Sequence, residues 1–278
     1  MNPYLIDTPA TISFSGGRTS GFMLRKILDA FGGKLPDDVL VCFNNTGREH
    51  PKTYEFVRDV EAHWGCKIHW LEYRIVDDKP TFAEVTFETA SRKGEPFDAL
   101  IEHRKMLPNP TSRFCTVELK IRTAARAIRA RGWGEYTNAI GLRADERHRV
   151  ARMRGDNKNE LVAMPIADAG HTIDDVLAFW KEQPFDLMLP GGNNAFGNCV
   201  GCFLKGYDKT LRLMREEPEH FEWWAEKERT VKSLGRVTGD GALFRADRPT
   251  YAQLMEIART QSTFDFDTYD TLPCACTD

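Results

Sequence analysis

Short β-branched runs alternate with stretches of helical spacing over the first third of the chain, the pattern of a parallel sheet wrapped by helices. Thr11 to Phe14 reads as a strand. Ser20 to Phe31 follows as a helix, with Met23, Leu24, Ile27, Leu28 and Phe31 at helical spacing and Gly32-Gly33 closing it. Val39 to Phe43 is a second buried strand, Pro51 to Trp64 a helix with proline in its first turn, and Lys67 to Tyr73 a third strand. Residues 74 to 112 are less periodic and carry Pro80, Pro96, Pro108 and Pro110, which predicts an insertion with short helices. Val117 to Arg131 returns to a helix ended by Gly132, and Tyr136 to Gly141 to a strand. After about Val150 the alternation fades. Helices over Ile173 to Glu182, Thr210 to Leu234 and Tyr251 to Thr260 accompany a Pro- and Gly-rich loop, Pro190 to Gly201. The expected architecture is an α/β nucleotide-binding domain over residues 1–150, then a mainly helical extension over 151–278 that holds cysteines and ends in a tail free to move.

Composition narrows the class. At 278 residues, with 41% hydrophobic and 28% charged residues, the chain can bury a substantial core. No apolar run reaches membrane-spanning length, and Met1 to Thr8 lacks the basic and apolar regions of a secretory signal, so a cytoplasmic protein without a membrane partner is expected. Seven cysteines in such a chain point to metal binding or redox chemistry in preference to a disulfide framework. The net charge of −3 gives no global pull toward nucleic acid, but Lys120 to Arg154 carries ten Lys and Arg against three acids, a local excess that suits an anionic ligand. Within it Arg122, Arg126 and Arg129 share a helix face, readable as solvated surface or as a footprint for a second anionic substrate such as a nucleic-acid backbone.

Ser15-Gly16-Gly17-Arg18-Thr19-Ser20 sits where the first strand ends and the first helix begins, the place at which open α/β sheets bind ligands. Two glycines let the backbone turn sharply, and the helix N-terminus offers N–H groups and partial positive charge to a phosphate. Ser15, Thr19 and Ser20 add donors and Arg18 adds charge. The Walker spacing is absent.

Ser15-Gly16-Gly17-x-x-Ser20 after an apolar strand resembles the loop of the PP-loop pyrophosphatases and the phosphoadenylyl sulfate (PAPS) reductases. Matches follow in order: Phe43-Asn44-Asn45-Thr46-Gly47, Pro51-x-Thr53-Tyr54-Glu55-Phe56-Val57, Cys115-Thr116-x-x-Leu119-Lys120, Gly141-Leu142-Arg143-Ala144-Asp145-Glu146, and Met164-Pro165-Ile166 with the Asp174-Asp175-Val176 helix. The resemblance implies a Rossmann-like PP-loop fold of the adenine nucleotide alpha-hydrolase type, with ATP or an adenylyl sulfonucleotide as ligand. Carried over by position, Ser15, Gly16, Gly17, Arg18, Thr19 and Ser20 hold phosphates, Asn45, Thr46 and Gly47 lie near the adenosine, and Gly141 and Arg143 close on the phosphates. Arg18-Thr19 replaces the Lys-Asp of many members and Asn45 replaces their acid, which leaves use of Mg2+ open.

Cys199-Val200-Gly201-Cys202 is a C-x-x-C unit, open by itself between a redox pair, metal ligands and coincidence. Assimilatory adenylyl sulfate reductases are similar, with a Cys-Cys pair and a later C-x-x-C around a 4Fe-4S cluster. Here Phe114 stands beside Cys115, so three cysteines remain, the number by which certain tRNA thiolases of the PP-loop class hold a cluster with one iron open. The resemblance thus implies Cys115, Cys199 and Cys202 as metal ligands. Cys42 and Cys66 read as core thiols. Cys274 and Cys276 lie at the end where PAPS reductases carry a nucleophilic cysteine, without the Glu-Cys-Gly or the His of that segment. They are candidates for a swinging nucleophile, for a fourth ligand, or for an unstructured end. With Arg18 they form the catalytic candidates.

Three functions follow. The first is adenylation of a substrate by ATP with release of pyrophosphate, then sulfur insertion, as in nucleic-acid thiolation or DNA phosphorothioation, with a sulfur donor such as a cysteine desulfurase. The second is a sulfonucleotide reductase releasing sulfite, served by a thioredoxin-like thiol reductant. The third is a non-catalytic nucleotide- and cluster-binding subunit. Oligomeric state stays open.

Overall fold

The computed structural model describes residues 2–156, 161–192, 194–235 and 239–260. Six strands form one sheet in the order β4-β3-β2-β1-β5-β6: β1 Ala10–Ser13, β2 Val39–Asn45, β3 Ile68–Val76, β4 Lys79–Val85, β5 Thr137–Ala139 and β6 Leu161–Ala163. All neighbours are parallel except β3 and β4, which form a hairpin. The α/β class expected from the alternation is what the chain adopts.

The helices are α1 Arg18–Ala30, α2 Pro51–Trp64, α3 Glu95–Arg104, α4 Thr123–Ala130, α5 Arg147–Asp156, α6 Pro165–Asp168, α7 Ile173–Lys181, α8 Tyr207–Glu216, α9 Glu222–Thr230 and α10 Tyr251–Thr260. The stripe Phe22, Met23, Leu24, Ile27 and Leu28 of α1 is buried, as its spacing requires. Trp180 of α7 lies edge-on to Phe56 of α2, and Phe179 packs against Phe22. On the other face Leu40, Cys42 and Leu71 pack against Ala127 of α4.

Three elements depart from the sequence reading. The segment after β3 contains β4, an edge strand reached through a two-residue turn in which Asp77 and Asp78 both have positive φ. Pro80 is tolerated there because an edge strand has a side without a ladder partner. The helix expected from Val117 to Arg131 is split into a π-helical segment, Thr116–Arg122, and α4, with the Thr123 hydroxyl donating to the Glu118 carbonyl at 2.7 Å. β6 continues the sheet beyond residue 150.

Beyond α7 the chain is helical, as expected, and its aromatic residues join the main core. Trp224 stacks on Tyr251 and meets Phe97 of α3 edge-on, so extension and sheet share one hydrophobic cluster. Among the described residues no helix is long and apolar enough to cross a membrane.

Candidate nucleotide and cysteine site

Strand order reverses between β1 and β5, and the crevice outside the carboxyl ends of those strands is where such sheets take ligands. The loop after β1 fills one side of it. The Ser20 hydroxyl organises this loop: it accepts from the N–H of Ser15 (3.2 Å) and Gly17 (3.4 Å), donates to the Gly17 carbonyl (2.9 Å), and lies 3.1 Å from Ser15 Oγ. Gly16 has φ +73°, and a Cβ there would come within 2.7 Å of Thr53 Cγ2 and 3.2 Å of the Phe43 ring. Only glycine fits that curl against α2. Gly17 has ordinary extended dihedrals, and a Cβ would meet only Ser15 Oγ, at 3.6 Å. A side chain at 17 would therefore stand in the mouth of the loop, in front of the first N–H groups of α1.

The segment after β5 forms the other side. A Cβ on Gly141 would lie 3.3 Å from Ser20 Cα, so the two segments touch. Arg143 is held by Asp145, with Nε and Nη2 each 3.0 Å from a carboxylate oxygen, and its Nη1 lies 3.4 Å from Thr19 Oγ1. Its guanidinium is thus at the loop. Arg18 is placed differently: Nε and Nη2 grip Asp186 at 2.7 and 2.9 Å, and Nη2 also donates to the Leu187 carbonyl at 2.7 Å. Its charge is neutralised by Asp186, and the pair ties the start of α1 to the extension.

At the end of β2, Asn45 is fully buried and fully bonded. Its Nδ2 donates to Glu72 (2.6 Å) and the Ser91 carbonyl (2.8 Å), while its Oδ1 accepts from Gly47 N–H (2.8 Å) and Tyr54 (3.2 Å). It braces the loop that follows. Gly47 (φ +76°) lies against the backbone of Gly94, 2.9 Å from where its Cβ would be. Thr46 donates its N–H and hydroxyl to Glu49, at 3.1 and 2.7 Å, and its hydroxyl lies 3.3 Å from Cys199 Sγ. Glu49, Glu72, Tyr54 and Ser91 were not anticipated as parts of the site. Glu72, an acid inside an apolar strand, carried the one legible signal. Burial, with Glu49 alongside, holds the Tyr54 hydroxyl well above the usual phenol range.

Cys115, Cys199 and Cys202 line one small cavity together with Thr46, Lys120, Phe203 and Trp224. The turn bearing Cys199 and Cys202 is fastened to the β2–α2 loop by Val200 N–H donating to the Arg48 carbonyl (2.9 Å). Its carbonyls are tied back. Lys205 Nζ donates to those of Gly197 (2.9 Å) and Cys199 (3.0 Å), Tyr251 to that of Gly201 (2.6 Å), and Arg248 to that of Phe203 (3.3 Å). A Cβ on Gly201 would overlap Trp224 Nε1, a buried N–H without an acceptor among the described residues.

This donor set fits a soft metal group: three thiols, the cation Lys120 in the same cavity to balance thiolate charge, and an unused N–H beside the ligand turn. Burial raises the Cys115 thiol and pushes Cys199 up to about 11, with Glu49 adding to the latter. Without metal both are therefore protonated at neutral pH, and a metal must displace their protons. In metal-free protein, alkylation of Cys199 should be slow at pH 7 and rise about tenfold per pH unit toward pH 11, as followed by mass spectrometry. A fast, pH-independent rate would contradict this burial.

Cys42 and Cys66 are buried core thiols, pushed up to about 12 and about 11 by desolvation. Cys274 and Cys276 lie outside the described residues. Of the basic helix face, Arg122 and Arg126 join Arg104 around the buried Glu118 carboxylate, at 2.6, 3.1 and 2.6 Å, an ion-pair network. A larger open groove between α8, α9 and α10, lined by residues such as Met214, Glu222, Arg229 and Met255, contains none of the motif residues.

Residues 9–183 match the model of the phosphoadenosine phosphosulfate reductase domain, a range that ends before Cys199 and Cys202. The chain is 32% identical over 216 residues to an uncharacterized nin region protein of Escherichia phage lambda, covering 74% of this chain and 69% of that one. It is 24% identical over 224 residues to an uncharacterized protein of Methanocaldococcus jannaschii, covering 79% of this chain but 41% of the longer relative. Among solved structures, the phosphoadenylyl-sulfate (PAPS) reductase from Candida auris, a phosphate complex, is similar with TM-score 0.39 and 17% identity over 66% of this chain and 79% of that one.

Proposed function

The chain belongs to the phosphoadenosine phosphosulfate reductase domain family, nucleotide-binding enzymes of the PP-loop superfamily, and from that membership we propose that it is an ATP-dependent sulfur transferase. The observation that carries the reading is the convergence of Cys115, Cys199 and Cys202 on a cavity whose wall includes Thr46, a residue of the loop at the end of β2. Nucleotide and sulfur chemistry would then meet at one carboxyl edge of the sheet.

In this reading ATP lies with its phosphates on the N–H groups of Ser15 to Ser20 and of the first turn of α1. Arg143, beside Thr19, steadies the charge that builds as pyrophosphate leaves. A substrate oxygen attacks the α-phosphorus, the bond to the β,γ-phosphates breaks, and the substrate is left as an adenylate. A sulfur nucleophile at the sulfide level then displaces AMP, so the exchange of oxygen for sulfur needs no net electron transfer. Cys115, Cys199 and Cys202 would hold a 4Fe-4S cluster, which supplies a coordination position for sulfide. Lys120 would balance its charge, Lys205 holds the carbonyls of the ligand turn, and Thr46 and Glu49 tie that turn to the nucleotide loop. The acceptor is proposed as a nucleic acid, by the resemblance to tRNA thiolases of the PP-loop class; the basic stretch from Lys120 to Arg154 is largely paired with acids, as Arg122 and Arg126 are with Glu118, and does not carry that assignment.

Coupling tests the proposal. Labelled sulfide loaded anaerobically should reach the acceptor only when ATP is present, with AMP and pyrophosphate formed in equal amount. Transfer without ATP, or ADP and phosphate as products, would contradict it. Arg143→Lys keeps the charge but loses the fork, and should weaken ATP binding by about tenfold or more. Full affinity and turnover in that variant, by calorimetry and pyrophosphate assay, would remove Arg143 from the site.

A further inference from the structure

Away from the cysteine cavity, His50, Glu217 and His220 bring three potential ligand atoms within 4.8 Å of one another. We propose that they form a second metal site, taking one borderline divalent cation such as zinc, that pins the extension to the nucleotide-binding part of the chain. Glu217 Oε2 lies 2.9 Å from His50 Nε2 and 3.0 Å from His220 Nε2. Ligands around a tetrahedral zinc stand about 3.3 Å apart, so a small outward movement makes room for the ion. The rings agree with this. Zinc–nitrogen bonds of about 2.0 Å place ring centres about 3 Å from the ion and, at a tetrahedral angle, about 5 Å from each other; the centres of His50 and His220 are 5.2 Å apart. Two imidazoles and one carboxylate are the donor types of open zinc sites, with solvent in the fourth position. Here His50 is buried, while Glu217 and His220 are partly exposed, which gives the ion an entry and a place for water.

The site joins two elements. His50 is the N-cap of α2, and Glu217 and His220 border the turn between α8 and α9. Arg48 couples this turn to the cysteines, because its side chain donates to the His220 carbonyl (2.7 Å) and its own carbonyl accepts from Val200. In the metal-free protein His50 Nδ1 accepts from Lys52 N–H at 3.0 Å, which leaves the ring proton on Nε2, donated to Glu217. An ion at Nε2 therefore requires the ring proton to move to Nδ1, giving up the cap from Lys52 N–H, and three coordinate bonds form in its place.

Cobalt(II) is the direct probe, added anaerobically to the full chain with its cysteine site loaded. About one ion per chain should bind with visible d–d bands of nitrogen and oxygen ligation, without thiolate charge transfer. His220→Ala and Glu217→Gln, both at partly exposed positions, should each weaken binding by more than about a hundredfold. Cys66→Ser, at a core thiol outside both sites, should leave it unchanged. Zinc should raise the melting temperature of the parent protein and leave that of His220→Ala unmoved, while the zinc-free melting temperatures of the two stay close, a check that the variant folds. Cobalt uptake that survives His220→Ala and Glu217→Gln, or uptake showing thiolate bands, would overturn the site. So would the absence of saturable uptake, which would leave the three residues a hydrogen-bonded latch.

Discussion

Gly17→Val should give a folded protein that no longer binds ATP, whereas Gly16→Val should strike the fold itself. The two glycines are adjacent but do different things. Gly17 has φ −109°, which any residue adopts, and a Cβ there meets no backbone within 4 Å. Its replacement costs about 1 kcal/mol at most, through a poorer N-cap, but fills the space in front of the α1 N–H groups. Nucleotide affinity should fall more than a hundredfold, at least about 2.7 kcal/mol. Gly16 sits at φ +73° with Thr53 Cγ2 only 2.7 Å from its missing Cβ. A valine there meets left-handed strain of about 1–2 kcal/mol and overpacking of about 1–3 kcal/mol, so destabilisation of roughly 2–5 kcal/mol is expected. Paired melting curves and ATP titrations separate the two effects. Unchanged ATP affinity in a folded Gly17→Val protein would show that the phosphates bind elsewhere.

Anaerobically purified protein should carry about four iron and four sulfide per chain, and each of Cys115→Ser, Cys199→Ser and Cys202→Ser should remove them. A serine oxygen is a harder and more weakly deprotonated donor than a thiolate, so one replacement breaks a three-cysteine set. Cys42→Ser and Cys66→Ser touch thiols buried elsewhere in the core and should keep the iron. Cys274→Ser and Cys276→Ser should keep it as well. Stoichiometric zinc in these ligands, or an intact cluster after Cys115→Ser, would refute the assignment.

What the sequence disclosed follows from how local each cause is. The stripe of α1, the proline at the start of α2 and the strand-loop-helix placement of Ser15 to Ser20 are written in neighbouring residues, and the fold bears them out. Strand β4 was hidden because Pro80 suggests a loop and an edge strand is only partly buried. The Asp77-Asp78 pair was its one local signal, a two-residue hairpin turn with both φ positive. The side-chain partners of the two arginines were not separable from sequence. Arg18 lies in the loop but turns to Asp186, whereas Arg143, distant along the chain and held by Asp145, reaches Thr19. Both outcomes depend on tertiary partners that no spacing announces. His50, Glu217 and His220 were invisible for the same reason, since two turns far apart along the chain meet only when the extension packs against the start of α2.

The identity of the nucleotide consumed tests the account most directly. Anaerobic protein, incubated in parallel with ATP, adenylyl sulfate and phosphoadenylyl sulfate, a sulfide source, a thiol reductant and a nucleic-acid acceptor, can be assayed for pyrophosphate and sulfite together. An adenylating sulfur transferase releases pyrophosphate and AMP from ATP and no sulfite from either sulfonucleotide. Sulfite from a sulfonucleotide, with ATP left intact, would contradict the proposed function and make the chain a reductase.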